Sequence, residues 1–489
     1  MASKISVKAI DGSTIEFMDE VIGSSSLKDL CYSPDKSYVV SFYKNELAPE
    51  TISKLRNLVR IYQDILSSQT GIYWKNLFYW PERIFKWNNR IGVVFPLISQ
   101  RFYFNEGIIV GKEMTGKWFA SAKLKNKFLS TNQQGTWLSY LILCTKIAQA
   151  IRFIHSVGLL HADLSYSNLL VNPLTGEINF IVDEELLIPE GCTANIVENP
   201  DFIAPERIIM KSLHKYNSSA LDVFANRHSL AVLIYMFLLN RHPLRGGKVY
   251  DLDPGKDEEL AMGEKALFIE HPTDKSNRPK VDQLNPSELP QGDVTRLPYT
   301  ICGPYLKKLF DKAFIDGLHN PKERPSATEW EEALIKTLDL VLPCQGEKCN
   351  SHWFIFDNSS KPKCPFCGKE YKGQLPILNF YYAPSHDKFI SENCRLIVHN
   401  KQKLYKWHSN NLISPNEKTS NENKKPVGDF HIQNCQWYLF NRGLTDMYDV
   451  TEKKPIPVGG YVPLTEGRQI ILDKGHGGRL VYVQLLLID

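Results

Sequence analysis

Short apolar runs dominate the first hundred positions of the chain. Tyr38-Val39-Val40-Ser41-Phe42-Tyr43 and Ile91-Gly92-Val93-Val94-Phe95 have the length and the β-branched and aromatic content of strands. Pro49 to about Leu66 instead places its apolar residues at helical spacing, so residues 1 to about 100 predict a small sheet with one helix. From Gly135 the period changes. Helical patterns cover Trp137 to Val157 and Leu221 to Leu239, and return at Tyr305 to Phe314 and Ala327 to Leu340. Between them, residues 246 to 299 are rich in Pro, Gly, Asp and Lys and read as a long surface excursion. After Pro343 come a cysteine-rich knot and a strand-rich tail with runs at Arg395–His399, Trp437–Phe440, Gln469–Leu472 and Leu480–Leu487. The polar stretch Ser409 to Pro426 interrupts that tail.

Composition changes this picture little. A chain of 489 residues is too long for one growing core, and 43% apolar with 23% charged residues is ordinary for folded protein. The net charge is +4, without a basic arm or stripe, so no nucleic-acid partner is expected. The N-terminus lacks the apolar core of a secretory leader, and no uninterrupted apolar run approaches the ~20 residues of a membrane span. A cytoplasmic protein without a membrane partner is therefore expected. Of ten cysteines, four cluster between Cys344 and Cys367, which in a reducing compartment favours a metal site over disulfides.

The candidate chemistry lies in the middle. His161-Ala162-Asp163-Leu164-Ser165-Tyr166-Ser167-Asn168 follows a helical pattern and precedes the apolar run Leu169-Leu170-Val171. It is similar to the catalytic loop of serine/threonine protein kinases, with Ala162 in place of the family's arginine. In order after it come Asp183, at the family's magnesium-binding position but followed by Glu184 and Glu185, and Ala204-Pro205-Glu206, which resembles the close of an activation segment. Asp222 resembles the residue that anchors the catalytic loop from a buried helix, and Arg324 stands where the family pairs a buried arginine with that glutamate. The resemblance implies a bilobal kinase-like domain over residues 1–340, with a small lobe to about 100 and a large lobe from about 101. It also implies Asp163 orienting a hydroxyl, Asn168 and Asp183 holding magnesium, ATP as phosphoryl donor and a protein substrate.

The phosphate grip departs from the family. Ile22-Gly23-Ser24-Ser25-Ser26-Leu27-Lys28 retains only Gly23 of the glycine loop. Strand alternation leaves two registers for the run ending at Lys44. In one, Lys44 reaches the phosphates but Phe42 crowds the adenine. In the other, Val39 roofs the adenine, Ser41 replaces the lysine, and Lys28 supplies the charge, as in the kinases lacking a lysine at the usual position. Lys28 is preferred, with Lys44 the alternative. The degenerate loop and the two glutamates also leave open a nucleotide-binding pseudokinase scaffold working through the tail, and the loop by itself fits small-molecule phosphotransfer.

Cys344, Cys349, Cys364 and Cys367 form two close thiol pairs, the spacing of a zinc ribbon at 341–373; His352 is the alternative ligand. Four thiolates leave no open position, so the zinc is structural. Residues 374–489 predict a β-sandwich whose Trp437–Asn441 and Val462–Leu472 segments look like closing strands of a forkhead-associated domain; no phosphate-reading residue is carried over. The fold class is thus α+β and multidomain. The order kinase, cysteine knot, sandwich resembles the kinase of a bacterial triad associated with tellurite resistance. That implies a signalling role, with a von Willebrand-type metal-binding protein and a metal-dependent phosphatase as partners.

Overall fold

The computed structural model describes residues 3–24, 27–182, 187–189, 198–213, 221–385 and 388–488. The chain forms two compact units that do not follow single cuts of the sequence. One holds residues 1–134, 146–292 and 312–328, the other residues 135–145, 293–311 and 329–489.

In the first unit, β1 (Lys4–Lys8) and β2 (Thr14–Met18) form a hairpin. Next comes an antiparallel sheet in the order β3 (Gly23–Ser24), β4 (Lys28–Tyr32), β5 (Tyr38–Tyr43), then β8 (Arg90–Pro96) and β7 (Arg83–Trp87). Alternation along β5 divides its side chains between two cores. Val40 and Phe42 pack with Ile15 and Phe17 of the hairpin and with Phe85, whereas Val39 and Tyr43 pack with Val93, Phe95 and Leu55 of helix Pro49–Leu66. The Phe17 and Phe42 ring centroids lie 5.0 Å apart, edge to face. Gly92 is obligatory beneath this cluster, because a Cβ there would lie 2.5 Å from Phe85 and 2.9 Å from Phe42.

The remainder of this unit is mainly helical. Helix Val223–Leu239 starts at Val223 because the Asp222 carboxylate caps it, accepting from the Ala225 amide at 2.8 Å. It ends at Asn240 in the left-handed region (φ 54°). From Leu230 onward it is apolar on every side and wholly buried, as a central core helix must be. Strand β6 (Phe78–Tyr79) runs parallel to Glu177–Ile181, which pairs antiparallel with Leu169–Asn172. The segment 246–299 is not simply a surface excursion. It contains helix Pro254–Met262 and buries Phe268, Ile269 and Asn277, the Asn277 amide donating to the Leu244 and Leu267 carbonyls. The stretch Thr131–Ser156 is long and apolar enough to cross a membrane by length and composition, but 67% of its apolar 18-residue window is buried inside protein.

The second unit contains a sandwich built from two sheets. Six strands lie in the order 388–397, 373–385, 479–488, 469–471, 448–449, 454–455, and four in the order 403–405, 426–433, 436–441, 461–463. Leu378, Phe380, Val481 and Val483 of the first sheet and Leu404, Phe430, Leu439 and Val462 of the second share one buried core. A short hairpin, Val341–Pro343 with Trp353–Ile355, precedes it and carries the first cysteine pair at its turn.

Candidate active site and thiol cluster

Strand Leu159–His161 delivers the chain into a tight turn, and a single helical turn at Tyr166–Asn168 returns it to strand Leu169–Asn172. The Ser165 hydroxyl accepts from the Ser167 amide at 3.3 Å and fixes the turn. Asn168 is thereby brought back onto Asp163, its Nδ2 donating to the Asp163 carbonyl at 2.9 Å and to Oδ2 at 2.7 Å. With Nδ2 so engaged, the amide oxygen of Asn168 remains as a hard ligand of the kind magnesium takes, and no donor reaches it among the described residues. The other carboxylate oxygen of Asp163 accepts the Asn199 backbone N–H at 3.0 Å. Asp183, Glu184 and Glu185 lie outside the described residues, which reach Val182, buried, with its N–H on the Tyr79 carbonyl.

The residue that holds this loop to the core is Asn226. Its Oδ1 accepts the His161 N–H and its Nδ2 donates to the His161 carbonyl, both at 2.9 Å. Asp222, expected to be the anchor, instead caps the helix one turn earlier. Asn226 is buried and followed directly by Arg227, His228 and Ser229, so nothing in the sequence singled it out. Ala162, where the resembling family has arginine, is buried among Leu160, Ala204, Leu221 and Ala225. Glu206 and Arg324 are paired as expected. Both carboxylate oxygens accept from the guanidinium at 2.7 Å, and the remaining N–H groups reach the Gly317, Phe224 and Leu318 carbonyls.

Next to this pair the chain carries further buried charge. Glu198 pairs with Arg207 at 3.1 Å, and burial raises its carboxyl above the ordinary range against the pull of that arginine. Asp201 behaves oppositely. Burial opposes its ionisation, but His242, Arg245 and the Tyr166 hydroxyl outweigh it and hold the carboxyl below its usual value.

The lysines separate by face. Lys28 lies opposite Tyr43 across β4 and β5, its Nζ 4.6 Å from the ring centroid, on the side of Val39 and buried Ser41. Lys44 follows the parity of Phe42. Its Nζ lies 2.7 Å from Ser24 Oγ and 3.4 Å from Asp29, which also accepts from Arg90. Gly23 sits in β3 opposite Leu30, where a Cβ would make only ordinary contact.

In the second unit the four cysteine sulfurs lie within 4.8 Å of one another, Cys344 to Cys367 at 3.4 Å and Cys349 to Cys364 at 3.8 Å. Ligands ~2.3 Å from a tetrahedral zinc stand ~3.8 Å apart, so these thiols fit one ion. His352 is not in the group; its carbonyl accepts the Cys344 N–H at 2.7 Å, and it holds the turn at φ 58°.

Residues 113–333 match the family model described as protein kinase domain. The matched segment includes residues 161–168, the Glu206–Arg324 pair and Asn226, and excludes Gly23, Lys28 and Lys44. The chain is also similar to serine/threonine-protein kinase PknD of Chlamydia caviae, 27% identical over 136 residues, covering 24% of this chain and 14% of that protein. The chain therefore spans only a small part of that relative's length. Among solved structures, a rhoptry kinase from Toxoplasma gondii is similar at TM-score 0.42 and 12% identity, over 69% of this chain and 84% of that one. A Toxoplasma gondii rhoptry antigen kinase domain is similar at 0.41 and 12%, over 69% and 86%.

Proposed function

We propose that this chain is an ATP- and magnesium-dependent serine/threonine protein kinase of a bacterial signalling system, acting on a partner protein in the cytoplasm. The observation that supports it most is the closed loop at Asp163. Its carboxylate is oriented by Asn168 from within the loop, and the loop is itself held by Asn226 before any ligand arrives. In this reading Asp163 orients the acceptor hydroxyl and takes its proton, while Asn168 and Asp183 hold magnesium. Bound magnesium supplies charge neutralisation at the transferring phosphate. Val39 roofs the adenine, and Lys28, on its face, grips the phosphates from beside Gly23; Lys44 is the alternative. Cys344, Cys349, Cys364 and Cys367 hold a structural zinc. The forkhead-associated likeness of the sandwich and the two partners of the triad, a von Willebrand-type metal-binding protein and a metal-dependent phosphatase, belong to the same proposal. The two proteins are the first substrates to try.

A pseudokinase is favoured by one specific contact, the Asn199 amide on the Asp163 oxygen that would face a hydroxyl. Labelled ATP with magnesium decides between the two readings. The full chain should label itself or a partner, and Asp163→Ala should reduce labelling by about a thousandfold or more. Equal labelling by both proteins would remove the kinase reading.

A further inference from the structure

A cavity of about 510 Å³ opens beside the catalytic loop in the first unit. Two of its walls continue the segments that hold Asp163. Tyr166, three residues beyond Asp163, lines it, and so does Asp201, two residues beyond the Asn199 whose amide binds Asp163. Three residues of chain span at most about 10 Å, which is also the reach of two to four residues of an extended peptide. A peptide whose hydroxyl meets Asp163 therefore has near neighbours at this cavity.

The lining is strongly cationic. Lys117, Lys123, Lys280, Arg241 and Arg245 face only two acids, Asp201 and Glu288. Both acids are engaged. Asp201 accepts from Tyr166 at 3.0 Å and from Arg245 at 2.7 Å, and Glu288 accepts the Asn285 amide at 2.9 Å. The arginines are committed as well, Arg241 to Glu270 and Arg245 to Asp201 and Glu258. Lys117, Lys123 and Lys280 are exposed and have no carboxylate within ion-pair distance among the described residues. Isolated surface lysines are simply solvated. Three lining one concavity between low-dielectric walls concentrate a positive potential there, and the complementary ligand is an anion.

We infer that this cavity is a subsite for an acidic side chain of the protein substrate, lying two to four residues from the phosphorylated hydroxyl. The inference rests on the kinase reading and adds the substrate's chemistry to it.

The test uses the full chain and three dye-labelled peptides with one central serine, flanked by Glu and Asp, by Ala and Gln, or by Lys. Anisotropy without ATP should show the acid-flanked peptide binding about tenfold tighter than the neutral one, the size expected of a few partly screened ion pairs. The triple variant Lys117→Glu, Lys123→Glu, Lys280→Glu should lose that preference and turn it toward the Lys-flanked peptide, a gain that misfolding cannot produce. Equal binding of all peptides by the unaltered protein, or acid preference surviving in the triple variant, would overturn the subsite. Displacement by inorganic phosphate where chloride of equal ionic strength does nothing would assign the cavity to a small free anion and overturn it too. Adding ATP and magnesium then reads transfer. Acid-selective binding with no phosphorylation of any peptide would count against the kinase reading alone.

Discussion

Val39, Ser41 and Tyr43 look toward helix Pro49–Leu66, and Lys28 crosses to Tyr43 on that same side of the sheet. Lys44 belongs to the opposite face, with Ser24 and Asp29. Lys28→Ala should therefore weaken nucleotide binding about ten- to a hundredfold, the worth of one charge-assisted contact, while Lys44→Ala costs less than about threefold. Titration with a fluorescent nucleotide measures both, and the reverse order would reject this register. Alternation in the sequence defines two registers without choosing between them. What separates them is the β1–β2 hairpin, whose Phe17 covers the Val40 and Phe42 face, a long-range contact with no local signature. Asp163, Asn168, Glu206 and Arg324 were legible because each sits in a short motif. Asn226 was not, because its partners are backbone groups sixty-five residues away.

Among the elements, the cysteine segment depends most on something it does not itself contain. Its two turns bring four sulfurs together beside the buried Phe354, Ile355 and Tyr371, and an ion held by all four would add to the local folding energy. Metal analysis should find about one zinc per chain. Cys364→Ser, or a strong chelator, should remove it and lower the melting temperature by several degrees, read by near-ultraviolet circular dichroism. A folded segment with no metal would contradict the site. Spacing made this element readable from sequence, whereas 246–299 was obscured by its many prolines and glycines. Phe268 and Ile269 are buried there by tertiary contacts, without a period to announce them.

Across the first unit as a whole, burial pushes His155 and His242 down to about 4. The unfolded chain takes up those protons near pH 6.5, so between about pH 6.5 and 4 it binds more protons than the folded one, and stability falls as the solution is acidified. Denaturant titrations at pH 7.5 and 5 should differ by up to about 2 kcal/mol for each histidine. His242→Gln should flatten the slope, and an unchanged slope would mean that the ring is not held neutral. The interleaved membership of the units has a different bearing. Trp137 stands early in the sequence, yet its N–H donates to the Ser351 carbonyl and its ring lies 5.5 Å from Phe366. Tyr305 likewise donates to the Asn393 carbonyl. A polypeptide stopped at residue 340 would keep these side chains and lose what they touch. A shuffled gene that kept residues 1–340 and discarded the rest would therefore inherit segments 135–145 and 293–311 stripped of the partners they pack against.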